Sequence, residues 1–154
     1  MAEFRGVLQG GGRKIALVVS RFNESVTHAL RSGAVAELVR HGVSAGDIDI
    51  FEVPGAFELP GVAERVAQKG THHAVICLGA VIRGATPHFD YVAGEAARGV
   101  AGVAARSRCP VVFGVLTCDT EEQARERAGG KSGNKGADCA RAALELIDLY
   151  RQIG

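Results

Sequence analysis

The sequence predicts an α/β protein: a three-layer sandwich of the flavodoxin-like type, with a four-stranded parallel sheet and helices on both faces. Short apolar segments alternate four times with longer segments in which apolar residues recur every three or four positions, and a final helix follows. The segment 74–82 is apolar throughout, which is typical of a strand covered on both faces. The 154 residues suit one domain, so we expect residues 1–154 to fold as a unit, with residues 1–12 as an N-terminal arm.

The first two strand–helix units occupy the first half of the chain. Ile15–Val19 is the first predicted strand, Asn23 stands where it can cap the following helix, and Gly42 ends that helix. The apolar face of the helix consists of Val26, Leu30, Ala34 and Leu38. A second strand is predicted over Ile48–Val53, and Pro60 suits the first turn of the next helix. That helix presents Leu59, Val62, Ala63 and Val66.

The third and fourth units begin with the buried strands Ala74–Ile82 and Val111–Leu116. After the third strand, Thr86 is the predicted N-cap and Pro87 the first helical residue. The apolar face of this helix consists of Val92, Ala96, Val100 and Val103. After the fourth strand a short helix is predicted over Glu121–Ala128, and its capping box is formed by Thr120 and Gln123.

Two further segments complete the prediction. A glycine-rich basic loop is expected over Gly129–Gly136; it is not a P-loop, because it lacks the GxxxxGK[ST] pattern and follows a helix. The last helix carries Ala140, Leu144 and Ile147 on one face. At the other end of the chain, Phe4–Leu8 resembles an extra strand isolated behind glycines, and we expect it to join a neighbouring subunit.

Composition excludes several classes of function. With 18 Lys and Arg against 17 Asp and Glu, the net charge of +1 provides no global field for nucleic acid or a membrane surface. No apolar run reaches the roughly 20 residues of a membrane span, and the N-terminus lacks a signal-peptide core. The cysteines Cys77, Cys109, Cys118 and Cys139 form no CxxC pair. We therefore expect a cytoplasmic protein with reduced thiols and no metal site.

Ligands of open parallel sheets bind beyond the carboxyl ends of the strands. Four segments of this chain stand there: Ser20–Asn23, Pro54–Glu58, Gly79–His88 and Thr117–Thr120. The richest is Gly84–His88, where free backbone N–H groups before a helix favour a phosphate. The helix dipole there favours the neutral imidazole of His88, the form that accepts a proton.

Each of these residues also has a plainer interpretation. Phe22 is either an aromatic at the edge of the core or a stacking platform for a planar ring. Glu58 is either a solvated carboxylate or an acceptor for sugar hydroxyls, and His88 either a surface histidine or a proton carrier. Arg127 either compensates a helix dipole or clamps a phosphate together with basic residues of the glycine-rich loop, Lys131 and Lys135.

Five strings of the sequence together resemble the lumazine synthase family, over a stretch from about Ile15 to the C-terminus. They are SRFN at 20–23, VPGAFELP at 53–60, GAVIRGATPHFDYV at 79–92, FGVLTCDTEEQARERAG at 113–129 and GNKG at 133–136. The order of several separate motifs makes the resemblance specific. It implies an enzyme of riboflavin biosynthesis that joins a ribitylamino-pyrimidine to a four-carbon sugar phosphate, with no cofactor and no metal.

The resemblance also implies a role for each motif residue. The pyrimidine and its ribityl chain would be held by Phe22, Ala56, Phe57, Glu58, Ala80, Val81, Ile82 and Phe113. The phosphate would be held by Ala85, Thr86, Arg127 and Lys135, and His88 would carry protons. Phe113, Arg127 and Lys135 would reach the site from a neighbouring subunit.

Assembly and departures complete what the resemblance implies. The family forms pentamers, and the short GGKSGNKG turn resembles members that close twelve pentamers into a 60-subunit cage. Riboflavin synthase is a candidate protein partner. Cys118 and Cys139 replace other small residues outside the binding positions, and Asp138 stands where Glu is common, with no role assigned. Two alternatives remain: a flavin- or lumazine-binding module without catalysis, and a purely structural shell protein.

Overall fold

The computed structural model describes residues 1–154 and confirms the predicted three-layer α/β architecture. All neighbouring strands of the central sheet run parallel, in the order β2-β1-β3-β4. The strands of this sheet are β1 Ile15–Ser20, β2 Ile48–Val53, β3 Ala74–Ile82 and β4 Val111–Cys118. The helices are α1 Glu24–Arg40, α2 Leu59–Lys69, α3 His88–Arg106, α4 Glu121–Arg127 and α5 Lys135–Ile153. A small antiparallel ribbon, β5 Ala128–Gly130 and β6 Gly133–Asn134, lies between α4 and α5.

Two hydrophobic cores lie on opposite faces of the sheet, and the alternation of side chains along the strands divides them. On one face, Ile76 packs with Leu30 of α1 and Leu144 of α5. On the other face, Cys77 packs with the apolar faces of α2 and α3. Residues 74–78 of β3 are completely buried, as expected for a strand covered on both sides. The two cores hold the sheet between the helical layers, so the carboxyl ends of its strands lie at one edge between those layers.

The predicted helix starts require three corrections. Thr86 is not the N-cap of α3: Pro87 is, with a ψ of 4°, and its carbonyl accepts the Asp90 N–H at 3.0 Å, so the α-helix begins at His88. Asn23 does precede α1, but in the left-handed region (φ 62°), which asparagine tolerates, and its side chain makes no capping bond. The Thr120 hydroxyl accepts the Gln123 N–H at 3.1 Å, as predicted, whereas the Gln123 amide oxygen accepts the N–H of Asp119 instead of completing the box.

The segment Gly129–Gly136 is not one continuous loop, contrary to prediction. Its first part folds back as the β5–β6 ribbon, which is permitted by positive φ angles at Gly129 and Gly133. Lys135 already belongs to α5, and the side chain of Asn134 caps that helix by accepting the Ala137 N–H at 3.1 Å. The basic residue Lys135 is consequently held on a rigid helix start.

The N-terminal segment Phe4–Leu8 forms no strand with its own sheet. It lies along α5 instead, where the Val7 N–H donates to Oδ2 of Asp148 at 3.0 Å and Nε2 of Gln152 donates to the Arg5 carbonyl at 2.8 Å. Phe4 remains largely exposed. Pairing of this segment with a neighbouring subunit stays a prediction. None of the helices combines the length and the apolar character that crossing a membrane requires.

Candidate functional site

The largest cavity at the carboxyl edge of the sheet has a volume of about 670 Å³. Three of the four predicted segments line it: those that follow β1, β2 and β3. The segment after β4, Thr117–Thr120, does not. Of the predicted site residues, the lining includes Phe22, Ala56, Phe57, Glu58, Ala80, Val81, Ile82, Thr86 and His88. The cavity thus collects most of the residues that the sequence motifs single out.

Exposed aromatic rings form the walls of the cavity. Phe22 is 71% exposed and Phe57 is 56% exposed, although both are apolar. The interpretation of Phe22 as an aromatic at the core edge is therefore wrong for this chain. Its backbone is held in place, because its N–H donates to the Pro54 carbonyl at 3.0 Å. An exposed ring on an anchored backbone offers a face on which a planar heterocycle can stack.

Two aromatic side chains of this cavity were not among the predicted site residues; one of them is the half-buried Phe89. The other, Tyr91, is 71% exposed. It lies three residues after His88 on α3, so both side chains lie on the same face of the helix. That spacing was visible in the sequence, and it would have identified Tyr91 once His88 had been assigned to the cavity.

Glu58 contributes a carboxylate with one free oxygen. Its Oε1 accepts the Gly55 N–H at 3.0 Å, which closes the turn Ala56–Glu58 before α2. Neither a cation nor another donor contacts its Oε2. A carboxylate held in this way can accept hydrogen bonds from hydroxyl groups in the cavity.

The loop between β3 and α3 carries unused backbone donors. Gly84, Ala85 and Thr86 make no backbone hydrogen bond with the rest of the chain, and all three are exposed. They precede a helix of 19 residues, whose positive dipole end attracts anions. Gly84 and Thr86 line the cavity, whereas Ala85 does not. The loop therefore meets the chemical requirements of a phosphate site beside the exposed imidazole of His88.

The predicted cationic residues lie in a separate recess of about 340 Å³, next to the end of β4. Arg127 and Lys135 line it together with Asp138, and it shares no lining residue with the larger cavity. The Arg127 guanidinium donates to the Gln123 carbonyl one helical turn earlier at 3.0 Å, so it does compensate the end of α4. Lys131 lies outside the recess and pairs with Glu126 at 3.3 Å.

The predicted site residues are therefore not gathered in one place on a single chain. Nine lie in the cavity, and Arg127 and Lys135 lie in the recess. Phe113 belongs to neither: it is half-buried and packs against the core on the α2 and α3 side of the sheet. The cavity has an imidazole, aromatic rings and backbone donors, but no arginine or lysine lines it.

The buried thiols carry no reactive chemistry. Burial raises the pKa of the Cys77 thiol to about 12 and that of Cys139 to about 11. Both thiols stay protonated at neutral pH and act as small apolar side chains.

Comparison with known proteins identifies relatives of the whole chain. A family model described as 6,7-dimethyl-8-ribityllumazine synthase matches residues 12–151. A curated protein of that name from Anaeromyxobacter sp. (strain K) is 56% identical over 153 residues, which cover 99% of this chain and 94% of the relative. Another from Anaeromyxobacter sp. (strain Fw109-5) is 56% identical over 152 residues, covering 99% and 93%.

Proposed function

The chain belongs to the 6,7-dimethyl-8-ribityllumazine synthase family, and on that basis we propose the reaction it catalyses. It is a transferase of riboflavin biosynthesis. It condenses 5-amino-6-(D-ribitylamino)uracil with 3,4-dihydroxy-2-butanone 4-phosphate, and the products are 6,7-dimethyl-8-ribityllumazine, phosphate and water. The observation that carries this proposal is 56% identity over 99% of the chain, to proteins that bear this name.

The pyrimidine substrate is assigned to the large cavity. Its ring stacks on Phe22, while the segment Ala80–Ile82 provides an apolar floor. Ala56 and Phe57 approach the ring from the second loop, and the free Oε2 of Glu58 accepts hydroxyls of the ribityl chain. The volume of about 670 Å³ lies within the roughly 300–1,000 Å³ range of small-molecule sites.

The sugar phosphate is assigned to the loop before α3. The N–H groups of Ala85 and Thr86 bind the phosphate, and the helix dipole stabilises its negative charge. Arg127 and Lys135 of a neighbouring subunit supply the positive charge that the cavity of one chain lacks. Phe113 of that neighbour packs near the pyrimidine. The active site would then be complete only between two copies of the chain.

The reaction needs neither metal nor redox cofactor. The 5-amino group of the pyrimidine attacks the ketone, and loss of water gives an imine. Elimination of phosphate then leaves an enol on the neighbouring carbon, and this enol tautomerises to a new ketone. The 6-ribitylamino nitrogen attacks that ketone, and a second water is lost as the ring closes. Because protons move in every step, one exposed imidazole beside the phosphate loop suffices, and His88 fills that role.

Proximity is expected to provide most of the acceleration. Holding two reactants in the right geometry lowers a barrier by about 7–11 kcal/mol at best. A positioned general acid or base adds about 10²–10⁴-fold. A catalytic site built on backbone and aromatic contacts, with one histidine, is consistent with that division.

The proposal extends to assembly and location. The chain forms pentamers, and because its short GGKSGNKG turn resembles that of cage-forming family members, twelve pentamers close into a 60-subunit cage. Sedimentation velocity tests this, since a profile that contains only pentamers would exclude the cage. The four unpaired cysteines support a cytoplasmic location, and riboflavin synthase is the proposed protein partner.

The test of function uses purified protein and both substrates. The appearance of lumazine absorbance at a rate proportional to protein concentration, above the rate without protein, is the expected result. Tight binding of lumazine without any acceleration would favour a binding module without catalysis. Neither binding nor acceleration would favour a structural shell protein.

A further inference from the structure

The arginine that begins the phosphate loop makes contacts that the proposed reaction does not use. Arg83 directly follows β3, and its side chain does not line the cavity. Its Nε donates to Oδ1 of Asp119 at 3.0 Å, beyond the end of β4. Its Nη1 lies 3.6 Å from Oδ1 of Asp90, in the first turn of α3. The guanidinium also stacks over the ring of Phe89, at 4.3 Å from the ring centre.

These three partners lie on both sides of the segment that bears the unused donors. Asp119 belongs to the neighbouring strand end, whereas Phe89 and Asp90 belong to the helix that begins at His88. The backbone of Arg83 is fixed as well, because its N–H donates to the Cys118 carbonyl at 2.9 Å. One side chain thus ties the start of the loop, its far end and the adjacent strand to one another.

The loop has little else to hold it. Gly84, Ala85 and Thr86 make no backbone hydrogen bond, and the loop side chains make none either. Glycine and alanine offer no bulky side chain to pack. The shape of the loop therefore depends on its two anchored ends, and Arg83 is the side chain that joins them.

We propose that Arg83 is a positioning residue: it holds the loop Gly84–Pro87 so that its N–H groups converge on the phosphate and His88 faces the reacting atoms. The inference rests on the proposed function. A planar guanidinium is suited to this work, because it can pair with two carboxylates at its edges while its face covers a ring. Lysine, a single point charge, would replace only part of it.

The test compares Arg83→Gln and Arg83→Lys with Arg98→Gln as a matched control. Arg98 is an exposed arginine of α3 that forms one ion pair, with Glu95. In Arg83→Gln we expect the KM for the butanone phosphate to rise about tenfold, the change expected from losing several individually weak exposed contacts. The KM for the pyrimidine and the thermal unfolding midpoint should stay close to wild type. Arg83→Lys should fall between the two, and Arg98→Gln should match wild type.

A second readout does not depend on turnover. Binding of inorganic phosphate, measured by calorimetry, should weaken in Arg83→Gln by a similar factor and remain unchanged in Arg98→Gln. If wild type forms no lumazine but phosphate binding still depends on Arg83, the reaction is wrong and the positioning role stands. If Arg83→Gln behaves like Arg98→Gln in both assays, the positioning role is wrong. A parallel rise of both KM values with a lowered unfolding midpoint would show a merely structural role and would also overturn it.

Discussion

The cavity at the sheet edge and the recess beside β4 differ in the chemistry they offer. The cavity is mostly apolar, with exposed aromatic rings, free backbone donors and one imidazole, but without arginine or lysine. The recess is small and polar, with Arg127 and Lys135 but without an aromatic ring. A phosphorylated sugar and a flat heterocycle together need both sets of groups. In the proposed assembly, each chain would contribute complementary halves to two different sites.

The two regions also differ in how they are held. The cationic side chains lie at helix ends, where hydrogen bonds fix the backbone: Arg127 ends α4 and Lys135 begins α5. The donors of the cavity lie in a loop whose middle has no backbone hydrogen bonds. With Arg127 and Lys135 fixed on one chain and a more adaptable loop on the next, the phosphate could be bound from both sides as the two substrates come together.

The largest effect should come from the imidazole of the cavity. His88→Ala should lower kcat by about 10²–10⁴-fold, because general acid–base catalysis contributes that much. Activity should remain measurable, since proximity does not depend on the imidazole. Steady-state kinetics check this, with His28→Ala as the control, because His28 is an exposed histidine of α1 outside the cavity. An undiminished rate in His88→Ala would remove His88 from the mechanism.

The cationic recess should show the next largest effect, and on one substrate only. Arg127→Ala should raise the KM for the butanone phosphate roughly 10–100-fold, as expected for a hydrogen bond to a charged group. The KM for the pyrimidine should change little. Arg125→Ala is the control, since Arg125 is exposed on the same helix and pairs with Glu121. Equal effects on both substrates would count against the phosphate assignment.

The aromatic wall should show the reverse selectivity. Phe22→Ala should raise the KM for the pyrimidine about tenfold, because stacking on an aromatic side chain contributes about 1–3 kcal/mol per base. Stability should hardly change, since the ring is 71% exposed. Phe22→Tyr, which keeps the ring, should retain wild-type affinity. If Phe22→Ala instead lost affinity for the sugar phosphate, the assignment of the pyrimidine to the aromatic wall would be wrong.

The smallest effect concerns the stability of the fold and involves neither the cavity nor the recess. Hydrogen bonds from Arg151, the Val7 N–H and Gln152 lower the pKa of Asp148 to about 2. A carboxyl with a lowered pKa stabilises the fold above its unfolded value of about 3.9, and this stabilisation is lost as the pH falls from about 4 towards 2. Asp148→Asn should flatten that part of the stability curve and leave kinetics at neutral pH unchanged. The remaining loss of stability at low pH should persist in this variant, because the pKa of Glu37 is also lowered to about 2.

Thermal unfolding from pH 7 down to pH 2 measures this. Identical slopes for wild type and Asp148→Asn below pH 4 would show that the charge of Asp148, with its contacts to Arg151, Val7 and Gln152, does not contribute.

The buried elements were predictable from sequence, and the helix starts were not. The bounds of β2 and β3 agree with prediction to the residue, because β3 is a continuous apolar run and β2 ends at the turn residues Pro54 and Gly55. Whether α3 begins at Pro87 or His88 depends on one ψ angle, which no residue pattern specifies. The antiparallel ribbon within Gly129–Gly136 was missed for a similar reason, since glycines permit both a loop and a tight ribbon.

The candidate site divides in the same way. Ligands of open parallel sheets bind beyond the carboxyl ends of the strands, and this rule located Phe22, Glu58 and His88 at one edge of the sheet from their positions alone. The separation of Arg127 from the cavity could not be derived from strand order, because it depends on how α4 leaves β4. Only the family resemblance suggested that a second chain completes the site.

The claim that two chains form each site is tested most directly by mixing two impaired variants. His88→Ala and Arg127→Ala chains are unfolded together, refolded together, and assayed with both substrates, at a butanone phosphate concentration far below the wild-type KM so that the raised KM of Arg127→Ala lowers its rate. If each site takes His88 from one chain and Arg127 from the next around a ring, random mixing of equal amounts restores both groups in about a quarter of the sites. Activity should then rise to about a quarter of wild type, far above either variant alone. Activity that stays at the average of the two variants refolded separately would contradict the shared site.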